Sequence, residues 1–257
     1  MAPVMIQILS DLHLETQLSY DFVIRQTAPH LALLGEIGQV ADDGLFVCLE
    51  KQLDRYWTVF FLFGNHEPLL GSFFGAKSRV REFADRMERL RARSTIGRFV
   101  FLDQTRYDVN DSLTILGCTL FSRVTTEQAP ETVADHIDAH ISDLQQLNAH
   151  VSETSAADPQ RQIAIFTHHS PTLDDRAVEE RHRNSPVSSG FATDLSAEEC
   201  WANKAVAMWA FGHTHFSCDF SDGLGKRVAA NQKGYGSASF EKSFHMRKVF
   251  VVGREAA

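Results

Sequence analysis

A layered α/β fold, built on one mixed sheet or two, is predicted by three features of this sequence. Short apolar runs of strand length recur along its 257 residues. Amphipathic stretches with helical spacing separate the early runs. Polar clusters rich in His, Asp and Gly follow five of the runs, as loops at the carboxyl ends of strands do. Strand and helix alternate early and consecutive strands come later, the pattern of a layered domain.

The first run, Val4–Leu9, stops at Ser10. The next two, His30–Leu34 and 58–63, flank a stripe of Leu45, Leu49, Leu53 and Trp57, four residues apart on one helix face. Phe83, Met87 and Leu90 repeat that spacing in an Arg/Glu-rich segment ahead of the runs 98–102 and 113–116. A longer stripe of Val133, Ile137, Ile141, Leu144, Leu147 and Val151 predicts a long amphipathic helix. The remaining runs are 163–166, 208–211, Arg227–Ala230 and 248–252, whose β-branched and aromatic content suits buried strands. Residues 172–199 hold no period. They are charged, carry Pro186 and Gly190, and lie between two polar clusters. They read either as a lid over a site or as a surface excursion. No repeat or low-complexity linker divides the chain, so one domain over residues 1–257 is expected, frayed at 254–257.

The hydrophobic fraction of 44% and charged fraction of 23% suit a globular chain with a substantial core. A formal net charge of −8 argues against tracking nucleic acid, which requires a basic surface to displace counterions. The four cysteines, Cys48, Cys118, Cys200 and Cys218, form no CxxC pair and are expected as reduced thiols near the core. No apolar stretch is long enough to span a bilayer, and the N-terminus lacks the pattern of a secretory signal. The expectation is a soluble cytoplasmic protein without nucleic-acid or membrane partners, its oligomeric state open.

The five clusters are Ser10-Asp11-Leu12-His13, Gly35-Glu36-Ile37-Gly38, Gly64-Asn65-His66-Glu67, Thr167-His168-His169-Ser170-Pro171 and Gly212-His213-Thr214-His215. Each alone has an ordinary reading as a turn or a surface strand. Together they deliver carboxylates, imidazoles and an amide to one sheet edge. Carboxylates hold cations close together, and neutral imidazoles and an amide oxygen complete the shells without overcharging the site.

This ordered set resembles the calcineurin-like metallophosphoesterase superfamily, from Asp11 to His215. The stretches APHLALLGEIG, GNHEP and WAFGHTHF are similar to its small single-domain fungal members. The resemblance implies a sandwich of two mixed β-sheets flanked by helices. It implies two metal ions, one on Asp11, His13 and His215, the other on Asn65, His168 and His213. Glu36 stands where the family has an Asp bridging both. With four imidazoles the set favours Mn, Fe or Zn over Ca or Mg. Gln39 stands where some related phosphatases place a Tyr ligand, so no tyrosinate–iron centre is expected. Two such ions, roughly 3.5–4 Å apart, clamp a phosphoryl group and activate water.

His66 resembles the general acid of the family. Its carboxylate partner is open, with Asp42 and Asp43 as candidates. His169 either contacts substrate or packs behind a ligand. His136 and His140, on the long helix, are structural or solvent-facing. Arg176, His182 and Arg183 either meet a phosphate or are solvated surface charges. The implied activity is hydrolysis of a phosphate mono- or diester of a small soluble molecule. Glu36 is the departure: its extra methylene carries the carboxylate about 1.5 Å further from the backbone. Metal binding is expected to persist, because the other ligands remain, and hydrolysis to be altered or weakened. The second reading is a diverted fold, either a weakly active or inactive metal- and ligand-binding scaffold or a dimetal site acting on a non-phosphoester metabolite.

Overall fold

The computed structural model describes residues 3–16, 20–68, 72–124, 133–183, 185, 187–235 and 243–253, and the side chains of 133 and 134 are not among those described. Pro186 and the frayed end expected at 254–257 therefore lie outside the described residues.

Strands β1 (Val4–Leu9), β2 (His30–Leu34), β3 (Thr58–Leu62), β4 (Arg98–Phe101) and β11 (Val249–Val252) form one sheet, in the order β11-β1-β2-β3-β4. Its β1 to β4 run parallel and β11 antiparallel. Strands β5 (Thr105–Asn110), β6 (Leu113–Gly117), β7 (Gln162–Phe166), β8 (Val206–Phe211), β9 (Cys218–Ser221) and β10 (Arg227–Ala230) form the second, in the order β5-β6-β7-β8-β10-β9. There β6, β7, β8 and β10 run parallel, and the outer strands β5 and β9 run antiparallel to their neighbours.

The two-residue period of the strands builds the layers. Ile6, Ile8, Ala32, Leu34, Phe60 and Leu62 share one buried cluster with Ile115, Ala164, Phe166 and Ala210, the seam between the sheets. The alternate residues Leu31, Leu33, Val59 and Phe61 pack on Leu45 and Leu49 of α1 (Asp43–Leu53) and on Val80 and Phe83 of α2 (Phe73–Arg91). On the other side, Ile163, Ile165, Trp209 and Phe211 pack on Leu147 and Val151 of α3 (Val133–Ala157) and on Trp201 of α4 (Glu199–Ala202). The result is helix, sheet, sheet, helix: two mixed sheets flanked by helices.

The helical stripes hold in part. Helix α1 ends at Leu53, so Trp57 lies beyond it and is exposed, its N–H bonded to Pro29 O. Leu90 is also exposed, whereas Phe83 and Met87 are buried. In α3 the buried face drifts from the apolar stripe: Ile141 is exposed while His140 and Asp143 turn inward. The loop after β6 explains this. Leu120 there donates its N–H to Asp143 Oδ2 (2.7 Å), and its carbonyl accepts from His140 Nδ1 (3.0 Å). Buried backbone polar groups need partners, and here a helix supplies them. The same loop presents Thr119 O to the N–H groups of His168 and His169. All four cysteines are free and buried. No described helix is long and apolar enough to cross a membrane.

Strand β1 carries a buried glutamine in an apolar run. Gln7 Nε2 donates to Arg25 O and Met246 O, and its Oε1 accepts from the buried Tyr56 hydroxyl (2.7 Å). Gln7→Leu strands that hydroxyl, and a buried orphan of this kind costs about 1–3 kcal/mol. Urea denaturation is expected to show a loss of about 2–3 kcal/mol, partly recovered by adding Tyr56→Phe. A loss below about 0.5 kcal/mol would show that the glutamine is dispensable.

Candidate metal centre

The parallel strands end together, and the loops that leave them are stitched to one another. Asp11 N–H donates to Gly35 O (3.0 Å), His13 N–H to Glu36 O (2.9 Å) and Gly212 N–H to His168 O (2.9 Å). Asp11, His13, Glu36, His213 and His215 all have left-handed backbones, with φ between 47° and 71°. For residues with a Cβ this costs on the order of 1–2 kcal/mol each. Such strain gathers where surrounding structure over-determines a functional geometry. Two glycines let the loops close in. A Cβ on Gly35 would lie 2.4 Å from His168 Nδ1, and one on Gly64 would lie 2.7 Å from His168 Nε2 and 2.8 Å from Glu36 Cγ.

The side chains converge in two groups that share Glu36. Asp11, His13, Glu36 and His215 each offer one ligand atom within 4.8 Å of the others, as do Glu36, His168 and His213. Glu36 Oε2 lies 3.0 Å from His13 Nε2 and 3.3 Å from His215 Nε2, and Asp11 Oδ1 lies 3.3 Å from His215 Nε2. Glu36 Oε1 lies 3.4 Å from His168 Nε2 and 3.5 Å from His213 Nδ1. Asn65 Oδ1 stands 3.3 Å from His168 Nε2 and so joins the second group. The longer side chain thus presents one oxygen to each group.

The donor set fits cations. His168 Nδ1 bonds Leu34 O (2.9 Å), and donation there leaves Nε2 as an acceptor facing Asn65 Oδ1 and Glu36 Oε1, two further acceptors. His13 Nε2 and His215 Nε2 face each other at 3.1 Å. Acceptors crowded in this way require positive charge among them, from protons or from metal ions. The outer bonds also suit ligation, because a metal-binding imidazole donates its other N–H to a carboxylate or carbonyl. His13 Nδ1 lies 2.9 Å from Glu15 Oε1, and His213 Nε2 lies 3.3 Å from Gly190 O.

The titration behaviour follows from the same contacts. Burial disfavours the imidazolium of His13, but its bonds to Glu15 and Glu36 outweigh burial and push it up to about 9. For His215, burial is likewise outweighed by Asp11 and Glu36, which raise it to about 10. Burial would raise Glu36, yet the four surrounding imidazoles hold it far below the ordinary carboxylate range. His213 is lowered, chiefly by burial.

His66 stands at the edge of the centre, Nε2 3.8 Å from Glu36 Oε1 and Nδ1 3.7 Å from Glu15 Oε1. The adjacent Glu15 raises its pKa. Asp42 and Asp43 do not serve it: Asp42 caps α1 through Gly44 N–H, and Asp43 pairs with Arg79. Glu15 was missed in the sequence, where the signal is its position two residues after His13. Buried Glu67 accepts the N–H groups of Ile37 and Gly64 (both 2.8 Å) and so joins two of the loops; complete burial pushes its carboxyl up to about 7.

A cavity of about 480 Å³ opens over Glu36, Asn65, His66, His213 and His215. Segment 172–199 supplies much of its wall, including Leu173, Val178, His182, Val187 and Phe191. The base of the segment is tied down where Ser170 N–H meets Phe191 O and Thr193 N–H meets Ser170 O. Arg176 and Arg183 do not line the cavity. Arg176 lies over the Phe220 ring and bonds Asp174, and Arg183 bonds the Asp175 carbonyl. His169 is buried behind His213, its ring 4.2 Å from that imidazole and 5.6 Å from Phe121, and it does not line the cavity. His140 is buried and bonds Leu120 O, and half-buried His136 accepts the Ser122 N–H at Nε2. Tyr235, which no periodic signal marks, stacks on His13 at 3.9 Å with its hydroxyl 3.5 Å from His66 Nε2.

A family model described as calcineurin-like phosphoesterase matches residues 6–217. A protein of Acanthamoeba polyphaga mimivirus described as uncharacterized is 24% identical, over 80% of this chain and 78% of its own. Among solved structures, the phosphopantetheinyl hydrolase PptH of Mycobacterium tuberculosis superposes with a TM-score of 0.58 at 14% identity, covering 93% of this chain and 95% of that one. A dimetal phosphatase from Danio rerio gives a TM-score of 0.54 at 12% identity, covering 89% and 87%. These structural likenesses concern the fold.

Raised imidazoles make metal uptake pH-dependent. Below about 9, the metal-free protein carries protons on His13 and His215 that a metal must displace. Calorimetry of Mn²⁺ or Zn²⁺ binding near pH 7, in buffers of differing ionisation enthalpy, is expected to show a proton released from each. Affinity is expected to rise with pH and level off above about 10. Proton-neutral binding would contradict the arrangement.

Proposed function

Since this chain belongs to the calcineurin-like phosphoesterase family, we propose that it hydrolyses a phosphate mono- or diester of a small soluble molecule, using two metal ions. The observation that carries this reading is the Glu36 carboxylate, with one oxygen toward Asp11, His13 and His215 and the other toward His168 and His213. In this reading Asp11, His13 and His215 would hold one ion and Asn65, His168 and His213 the other, with Glu36 available to both groups. The imidazole-rich set suits Mn, Fe or Zn. When bound, such a pair supplies Lewis-acid charge for a phosphoryl group and a water that is nucleophilic at neutral pH.

The chain supplies the rest. His66, raised by Glu15 and open to the cavity, is the proton donor to the leaving oxygen. Glu15 contacts both His13 and His66 and so fixes the acid relative to the first ligand group. The Tyr235 ring covers His13, and segment 172–199 walls the cavity, together limiting access of bulk water to the reacting groups. The neighbours named as a phosphopantetheinyl hydrolase and a dimetal phosphatase support a hydrolase. A net charge of −8 supports a small substrate over nucleic acid.

An assay with p-nitrophenyl phosphate and bis(p-nitrophenyl) phosphate in Mn²⁺ tests the reading. Wild type is expected to release p-nitrophenol from at least one ester, and His213→Ala to lose at least about 100-fold in turnover. Glu36→Asp withdraws the carboxylate by about 1.5 Å and is expected to cost about 10- to 100-fold. No release from either ester with metal bound would overturn the proposal, and an undiminished Glu36→Asp would remove the role given to its length.

A further inference from the structure

The geometry points to a substrate with one phosphoryl group esterified to an uncharged, apolar alcohol. This inference rests on the phosphoesterase reading and names the substrate class of the same site. The cavity has two unlike parts. Its floor carries Glu36, Asn65 and three imidazoles. Its wall is apolar at Leu173, Val178, Val187, Phe191, Ala192 and Tyr235, with polar positions at Glu179, His182, Ser185 and Ser188. No described residue lining it is Lys or Arg.

The nearby cations face other partners. Arg176 is held by Asp174 and the Phe220 ring, Arg183 by Asp175, and Lys233 reaches the carbonyls of Leu12 and Gly234. Glu179, the one carboxylate among the described residues of the wall, pairs with Arg181 at 2.9 Å. Among the described residues, the one imidazole of the wall, His182, stands 3.8 Å from Glu179, so negative charge is compensated at the floor and the wall holds no cation without a carboxylate beside it. A second phosphate or a carboxylate on the leaving alcohol would lie beside Glu179 and largely apolar surface, which is costly.

The wall also attracts apolar atoms. Leu173 is 53% exposed, Val187 52%, Phe191 41% and Tyr235 57%, yet all four line one concavity. Phe191 stacks on His213 at 4.8 Å and Tyr235 on His13 at 3.9 Å, so each ligand group carries an aromatic ring beside it. An alcohol leaving from the floor would pass between these rings and the aliphatic wall, burying area from both sides. The cavity volume, about 480 Å³, is that of a small-molecule site.

Non-hydrolysable phosphonates test this apart from turnover. Calorimetry on the Mn²⁺-loaded 257-residue chain would compare ethylphosphonate, hexylphosphonate and 6-phosphonohexanoate. Hexylphosphonate is expected to bind at least about 20-fold more tightly than ethylphosphonate, since each buried methylene contributes a few-fold. The terminal carboxylate of 6-phosphonohexanoate is expected to erase most of that gain. Leu173→Glu, a change at an exposed wall position, is expected to flatten the dependence on chain length. Equal affinity for the two alkyl ligands, or tightest binding of the carboxylate, would overturn the inference. A clear chain-length dependence without p-nitrophenol release would support this assignment of the cavity and sink the hydrolase reading. Release of p-nitrophenol without any chain-length dependence would sink this inference alone.

Discussion

The Glu36 carboxylate lies 3.0–3.5 Å from the ring nitrogens of His13, His215, His168 and His213, which arrive from three separate loops. Holding one negative group among four imidazoles sets the demands on the surrounding backbone. Five residues of the centre accept left-handed conformations so that strands ending at one edge can turn sharply and aim side chains at a common point. Gly35 and Gly64 give up side chains so that His168 and the extra methylene of Glu36 can fit. Buried Glu67 ties the Glu36 loop to Gly64 through two backbone N–H groups. The sandwich core beneath supplies the stability that offsets this local strain.

A second tier orients the first. Leu34 O fixes His168, Glu15 fixes His13, and Gly190 O meets His213. Through Gly190 and Phe191, the segment that walls the cavity contacts a residue of the centre directly, so cavity shape and ligand orientation are mechanically linked. Asp11 makes a similar connection by accepting His213 N–H at 3.0 Å, tying the first and last motifs together. The departure at Glu36 is accommodated by the glycine opposite it, and the carboxylate still faces both halves.

Much of the fold was legible because strands buried on both faces read as continuous short apolar runs: β1, β2 and β10 coincide with theirs. Strands β5 and β9 were not, because TRYDVN and CDFS are polar outer strands stabilised by one neighbour each. In α3 the sequence pointed to Ile141, and the fold turned His140 and Asp143 inward to satisfy Leu120. The centre was legible as motifs, since its chemistry demands particular residue types after particular strands. Its surroundings were less so. Arg176 and Arg183 suggested phosphate contacts by charge alone, whereas Asp174, two residues before Arg176, and Asp175, eight before Arg183, hold them. Phe191 and Tyr235 reach the centre only through the folded chain.

Glu36 serves both halves of the centre with one oxygen each. Anomalous diffraction from crystals of the wild-type protein grown with Mn²⁺ tests this directly. Two metal peaks are expected roughly 3.5–4 Å apart, with one Glu36 oxygen on each. A single peak, or two with Glu36 bound to only one, would contradict it.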